Sequence, residues 1–129
     1  MTKIKTIKSS EYQEQCAIFD WCEANKHKYP DLNSLFATLN GVKMSIGLAK
    51  KCKRAGMRKG ILDLYLLKPR GGFHGLVIEL KIGTNKPTKE QYERMEELKQ
   101  DGYMATWCIG AEAAIDIIKT YLILSKYKG

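Results

Sequence analysis

Ile61-Leu62-Asp63-Leu64-Tyr65-Leu66-Leu67 and Leu76-Val77-Ile78-Glu79-Leu80-Lys81 are the two stretches that decide how this chain folds. Each is a short apolar run of strand length, rich in branched and aromatic side chains. Lys68-Pro69-Arg70-Gly71-Gly72 lies between them and is strong turn chemistry, so the pair is expected to form an antiparallel hairpin. Acid interrupts both runs, at Asp63 and at Glu79. Strands disfavour Asp, and a buried carboxylate is costly unless it is paired or bound to a metal. Side chains alternate along a strand, so Glu79 and Lys81 point to one face, with Asp63 on the adjacent strand.

Two carboxylates converging from neighbouring strands suit a hard divalent cation such as Mg²⁺ or Mn²⁺, which takes oxygen ligands and keeps some waters. Such an ion acidifies bound water and stabilises charge on a phosphate. Lys81 would orient or help deprotonate the attacking water, or offset charge on phosphoryl oxygens. The pattern alone leaves a second reading open. Glu79 and Lys81 also fit the solvent-facing side of an edge strand, and Asp63 fits a strand-end acid satisfied by backbone donors.

Upstream of the hairpin the charge is uneven. The chain has 22 Lys+Arg against 14 Asp+Glu, a formal net charge of +8, which suits an anionic partner such as nucleic acid. No acidic residue lies between Asp31 and Asp63. That interval holds Lys43, Lys50, Lys51, Lys53, Arg54, Arg58 and Lys59, so the excess is local. It reads as an amphipathic helix from about Met44 to Ala55, with Met44, Leu48, Cys52 and Ala55 on its apolar side and Gly56 as its stop. Lys43, Lys50 and Arg54 line the opposite side. Such a face tracks phosphates without reading sequence, or is simply a solvated helix face. Lys86 and Lys89 flank the loop after Lys81.

A first helix is expected from Glu11 to about Asn25, with Ser10 as N-cap and Gln13 completing a capping box. Glu11, Gln15, Ile18 and Cys22 share one stripe, so two polar residues open an otherwise core-facing line. A short strand follows at Leu35 to Leu39, closed by Asn40-Gly41. Beyond the hairpin, Gly83 to Pro87 is a loop and Thr88 starts a helix with Tyr92, Met95 and Leu98 inward. A strand over Tyr103 to Ile109 and a last helix over Ala111 to Leu124 follow, the latter with Ala114, Ile117, Ile118, Tyr121 and Leu122 inward. The expected class is α/β, a mixed β-sheet flanked by helices in the order α-β-α-β-β-α-β-α.

The 129 residues are 44% hydrophobic and 28% charged, a single globular domain over 1–129 with no internal repeat or dividing linker. Cys16, Cys22, Cys52 and Cys108 have no zinc spacing and read as reduced core residues. His27 and His74 read as surface residues. Met1 to Ser10 has no apolar segment of signal-peptide type, and no run of about 18 apolar residues exists, so the expected location is cytoplasmic and no membrane is expected as a partner.

Gly60-Ile61-Leu62-Asp63-Leu64, Ile78-Glu79-Leu80-Lys81, Pro87-Thr88-Lys89-Glu90-Gln91, Leu98 and Gly102, in this order, resemble the VRR-NUC family of the PD-(D/E)XK nuclease superfamily. Glu11-x-x-x-Gln15 is similar to its first-helix motif. The resemblance runs from about Ser10 to Ile118 and implies a restriction-endonuclease-like fold. It implies a catalytic Asp63, Glu79 and Lys81, a divalent metal on Asp63 and Glu79, and the Leu80 carbonyl in the metal shell. Glu11 is the helical acid it brings toward the metal, with Glu14 as the competing candidate. Gln91 is placed beside the centre by the motif, and is equally the N3 residue of a capping box with Thr88.

The chain departs from the family's pattern at Leu62, where Pro is common, and at Ala37 and Leu39, where His and Pro often precede the residue matching Asn40. Stand-alone, phage-type members resemble Holliday-junction resolvases and act as homodimers, and a C₂ dimer supplies two sites for two symmetric cuts. The resemblance therefore implies a structure-selective DNA endonuclease acting on branched DNA, in the host cytoplasm if phage-encoded. Met57, Phe73 and Tyr127 are apolar residues available to a dimer contact. The alternative reading is a basic DNA-binding module without catalysis.

Overall fold

The computed structural model describes residues 10–38 and 44–129. Helix α1 spans Glu11–Asn25, a 3₁₀ turn spans Pro30–Ser34, and strand β1 spans Leu35–Ala37. Helix α2 (Ile46–Arg54) precedes strands β2 (Leu64–Leu66) and β3 (Leu76–Lys81). Helix α3 (Lys89–Gln100), strand β4 (Met104–Ile109) and helix α4 (Ala111–Leu122) complete the chain. The strands form one mixed sheet in the order β1-β2-β3-β4, antiparallel up to β3 and parallel between β3 and β4. The element order and the mixed sheet are those expected, and the hairpin is antiparallel with Leu64 opposite Ile78.

Alternation splits the sheet into two faces. Leu64, Leu66, Leu76, Ile78 and Leu80 point to one side, where Ile18 and Cys22 of α1 and Ala114, Ile118 and Tyr121 of α4 close the main core. Val77 and Ala105 point to the other, where Met95 of α3 meets them together with Leu62. The Ser10–Gln13 capping box starts α1, and Thr88 with Gln91 starts α3 in the same way. Helix α4 begins at Gly110, which has no side chain to cap it. The Glu14 carboxylate of α1 substitutes, accepting the Ala111 N–H at 3.0 Å and locking the two helices together.

Several expectations change. Strand β2 starts at Leu64 rather than Ile61, because pairing with β3 stops at Asp63. Helix α2 is shorter than Met44 to Ala55 and buries none of its residues; Leu48 is 49% exposed. Its apolar side thus faces no core. Tyr92 is exposed, because the side of α3 that meets the sheet runs through Gln91, Met95 and Leu98, a third of a turn away. Cys22 and Cys108 are buried, but Cys16 and Cys52 are only half-buried; all four are free thiols. Phe73 packs against the main core, while Met57 and Tyr127 are exposed. Leu39, Asn40, Gly41 and Lys43 lie outside the described residues. Among the described residues, no helix is long and apolar enough to cross a membrane.

The pattern did not disclose Arg70. It is 7% exposed at the hairpin turn, where its guanidinium pairs with Asp31 and donates to the Pro69 carbonyl at 2.9 Å. Tyr121 donates its hydroxyl to the Lys68 carbonyl beside it, so the turn is tied to α4. At the other end of β2, Gly60 has φ of +75°, and a methyl group on it would stand 2.7 Å from the Glu90 carbonyl oxygen. Only glycine lets the chain pass this close to α3 on its way to Asp63. Gly60→Ala is therefore expected to lower stability by about 1–3 kcal/mol. Thermal unfolding measures this; an unchanged midpoint would show that the approach to α3 is not as tight as described.

Candidate active site

Asp63 lies where the β2–β3 ladder ends. Continuing the register places Leu80 opposite Leu62, beyond the last paired residue of β2. The Leu80 N–H donates instead to Asp63 Oδ2, at 2.8 Å. From the other side, the Thr38 N–H donates to the Asp63 carbonyl at 2.8 Å, and the Thr38 hydroxyl to the Leu62 carbonyl at 2.9 Å. The Asp63 backbone and side chain are thus held from two strands. No local spacing reveals Thr38, whose partners are more than twenty residues away.

Glu79 is 1% exposed, and both its carboxylate oxygens are buried without a hydrogen-bond donor. Lys81, on the same face of β3, places Nζ 3.7 Å from Glu79 Oε2, close enough for attraction but too far for a strong hydrogen bond. Burial pushes the Glu79 carboxyl up to about 9, with Asp63 adding to the shift and Lys81 opposing it. Two ionised carboxylates cannot bond to each other; once Glu79 is protonated it becomes a donor and Asp63 its acceptor. The surface-strand reading does not describe this residue.

Glu11 faces the same centre. Burial raises its carboxyl above the ordinary range, Asp63 raises it further and Lys81 lowers it. Glu14, one turn along α1, is committed to the Ala111 N–H. Glu14 is thus engaged at the start of α4, while Glu11 lies in the field of Asp63 and Lys81. The Gln91 side chain is buried, and its Oε1 accepts the Thr88 N–H at 2.9 Å, as the capping-box reading requires. Glu11, Asp63, Glu79 and Lys81 thus come together, while Gln91 is placed by its cap.

These residues offer oxygen donors to a hard cation. Among the described residues no group of three or more His, Cys, Asp or Glu is close enough to enclose an ion. Mg²⁺ does not need such a cage, since one or two carboxylates with waters hold it. The two buried oxygens of Glu79 without a donor are the fitting test, because a cation beside them would supply the missing partner. Asp63, Glu79 and the Leu80 carbonyl are the residues that fit the group. The loop 82–85 and the 109–110 corner line an open depression with Glu14 at the carboxyl ends of the parallel strands β3 and β4, but Glu11, Asp63, Glu79 and Lys81 do not line it.

Apart from Lys43, which lies outside the described residues, the cations singled out by charge are all at the surface. Lys50, Lys51, Lys53, Arg54, Arg58, Lys59, Lys86 and Lys89 are exposed. Lys89 pairs with Glu93 at 3.8 Å, and none of the others has an ion-pair partner among the described residues. The Lys59 carbonyl accepts from Arg94 of α3 at 3.5 Å, which ties the end of the basic segment to that helix.

The raised Glu79 carboxyl makes stability depend on pH. Between its ordinary value of 4.5 and about 9 the folded chain keeps a proton that the unfolded chain has lost. Unfolding then releases a proton, so stability is greatest toward the acidic end of this window and falls as pH rises through it. In the absence of divalent ions, the thermal midpoint is expected to fall from pH 5 to pH 9. Glu79→Gln should flatten that slope and be the more stable form at pH 9. Equal slopes in both proteins would contradict the assignment.

Comparison with family models and with curated proteins finds no match. Comparison with solved structures does. A VRR_NUC domain protein is 30% identical in sequence, with a TM-score of 0.79, and the match covers 98% of this chain and 97% of the other. At that identity, over nearly the full length of both chains, with the same mixed sheet between helices, this chain belongs to the VRR-NUC nuclease family.

Proposed function

We propose that this nuclease-family chain is a Mg²⁺- or Mn²⁺-dependent DNA endonuclease that hydrolyses phosphodiesters at the Glu11–Asp63–Glu79–Lys81 centre. The single observation that supports this most is Glu79, a fully buried carboxylate with no donor on either oxygen. Such a group opposes stability, and an apolar residue of similar size in its place would cost less. When bound beside Asp63, Glu79 and the Leu80 carbonyl, a divalent cation supplies charge stabilisation to the phosphate and acidifies water.

The chain's own residues do the rest. Asp63 is oriented by the Leu80 N–H, so its carboxylate does not have to reorganise when substrate arrives. Lys81 stands beside Glu79 with a half-buried ammonium that offsets charge on the phosphoryl oxygens or orients the attacking water. Glu11 adds a third carboxylate on the same side, as a direct or water-mediated partner. Gln91 enters this reading from the family motif alone, as a substrate contact through the amide nitrogen that its cap with Thr88 leaves free. In hydrolysis the water oxygen forms a bond to phosphorus, the bridging P–O bond breaks, and a proton reaches the leaving oxygen.

The exposed cations from Lys50 to Lys59, together with Lys43, Lys86 and Lys89, form the DNA track. Contacts of this kind position the backbone and carry no sequence information. The finer reading is a structure-selective enzyme resembling a Holliday-junction resolvase, acting as a homodimer so that two sites cut two strands.

A four-way junction, a flap and a linear duplex, each with Mg²⁺, Mn²⁺ or EDTA, test this reading. Cleavage is expected with metal and not with EDTA, and most on branched substrates. Asp63→Ala, Glu79→Gln and Lys81→Ala should each lose about 10² or more in rate. Replacing Lys50 and Lys51 together should weaken binding to every DNA alike and reduce its salt dependence. Metal-independent cutting, or full activity in Asp63→Ala, would reject the mechanism. Salt-sensitive binding with no cleavage of any substrate would leave an inactive DNA-binding module.

A further inference from the structure

The face of the sheet that carries Asp63 and Glu79 also carries an open aromatic pair. Phe36 of β1 lies directly across from Tyr65 of β2, and their rings stack with centroids 5.5 Å apart and planes at 11°. The same row continues through Val77 and Ala105, which pair with Tyr65 and Val77 in turn. Met95 of α3 packs at the Val77–Ala105 end, and Tyr65 borders that cluster. The Phe36 end remains open, and Phe36 is 45% exposed. A stacked ring pair is thus held rigidly by the ladder, with its outer member in solvent.

The pair adjoins the centre. Tyr65 follows Asp63 by two residues, about 7 Å along the strand direction. Burial raises the Tyr65 hydroxyl above its ordinary range, the Leu62 backbone and Arg94 lower it, and Glu79 and Asp63 raise it, while its ring backs Phe36. Arg94 binds the Lys59 carbonyl, and Arg58 and Lys59 are exposed just upstream. A flat apolar ring, a nearby cluster of cations and a phosphate-cutting centre together match one kind of occupant, a nucleotide. Aromatic rings stack on any base, because every base has a π-face. A second copy of this chain is a poorer match on this face, where the exposed Arg58 and Lys59 would meet the copy's own cations, so the homodimer proposed above uses another surface.

We propose that Phe36, backed by Tyr65, is a stacking platform for an unpaired nucleobase beside the cleaved phosphate, so that the enzyme selects DNA whose bases are free at the cut site. A base within a duplex is stacked on its neighbours and cannot lie on this surface without being extruded, at a cost of a few kcal/mol. Single-stranded, flapped and branch-point nucleotides avoid that cost. The inference rests on the nuclease reading for its location, and on the aromatic geometry for its ligand.

The test is binding, read without cutting. Fluorescence anisotropy of labelled oligo-dT and of a hairpin duplex of equal length, in EDTA, compares wild type with three variants. Phe36→Ala is expected to lose about tenfold in affinity for oligo-dT and much less for duplex. Phe36→Trp should restore binding, and Phe36→Leu, which keeps bulk but has no ring, should not. Thermal midpoints check that all three fold, which the exposure of Phe36 favours. Equal losses on both DNAs, no loss, or full binding by Phe36→Leu would overturn the proposal. So would a dimer that dissociates in Phe36→Ala while affinity for oligo-dT is kept, since the face would then be a contact between copies. A protein that binds oligo-dT through Phe36 but cuts no DNA with metal would reject the nuclease reading and leave the platform standing.

Discussion

One hydrogen bond organises the centre of this molecule. The Leu80 N–H faces a place where β2 has stopped pairing, and the Asp63 carboxylate accepts it. Had the ladder continued, a backbone carbonyl would take that donor and Asp63 would be free to rotate. Instead the acid is fixed against β3, next to Glu79 and within the field of Glu11 and Lys81. Thr38 and Gly60 serve the same end, the first by pinning the Asp63 and Leu62 carbonyls and the second by letting the chain pass under α3. The site is built where regular structure ends, with the ladder beyond it as its support.

That arrangement opposes stability. Glu79 is sealed by apolar neighbours on β3 and has a second acid beside it, so the folded chain holds a proton there at neutral pH. Lys81 offsets part of the repulsion, but at 3.7 Å it does not neutralise the pair. Stability is supplied elsewhere. Leucines of β2 and β3 fill the main core against α1 and α4, and the Glu14 carboxylate caps α4, while Arg70 pairs with Asp31 at the turn. The residues that cost stability and those that supply it are different sets, the expected pattern for a functional site on a rigid sheet.

The sequence shows the elements more clearly than the site. Caps disclose α1 and α3, apolar periodicity discloses α4 and turn chemistry the hairpin, because their information is local: Ser10 with Gln13, Thr88 with Gln91, and the Gly-rich turn after Pro69. The acids in the strands are visible for the same reason. What spacing cannot show is which acid stays buried and which is neutralised. Glu11 and Glu14 look alike in the helix, yet one turns to Asp63 and the other to the Ala111 N–H, a partner 97 residues away. Arg70 and Thr38 are missed because their partners come from other strands and turns. The apolar side of α2 is misplaced because amphipathic pattern tells which side is apolar, not whether a core lies beneath it, and Tyr92 because the buried stripe of α3 runs a third of a turn away.

The central claim is that Glu79 is a carboxyl kept protonated by its burial until a divalent cation takes the proton's place. Calorimetric titration with Mn²⁺ at pH 8, repeated in buffers of different ionisation enthalpy, counts the protons released on binding. The account predicts a release approaching one proton per ion in the wild-type protein and none in Glu79→Gln. Binding of the ion to the wild-type chain with no proton release, or no binding at all, would contradict it.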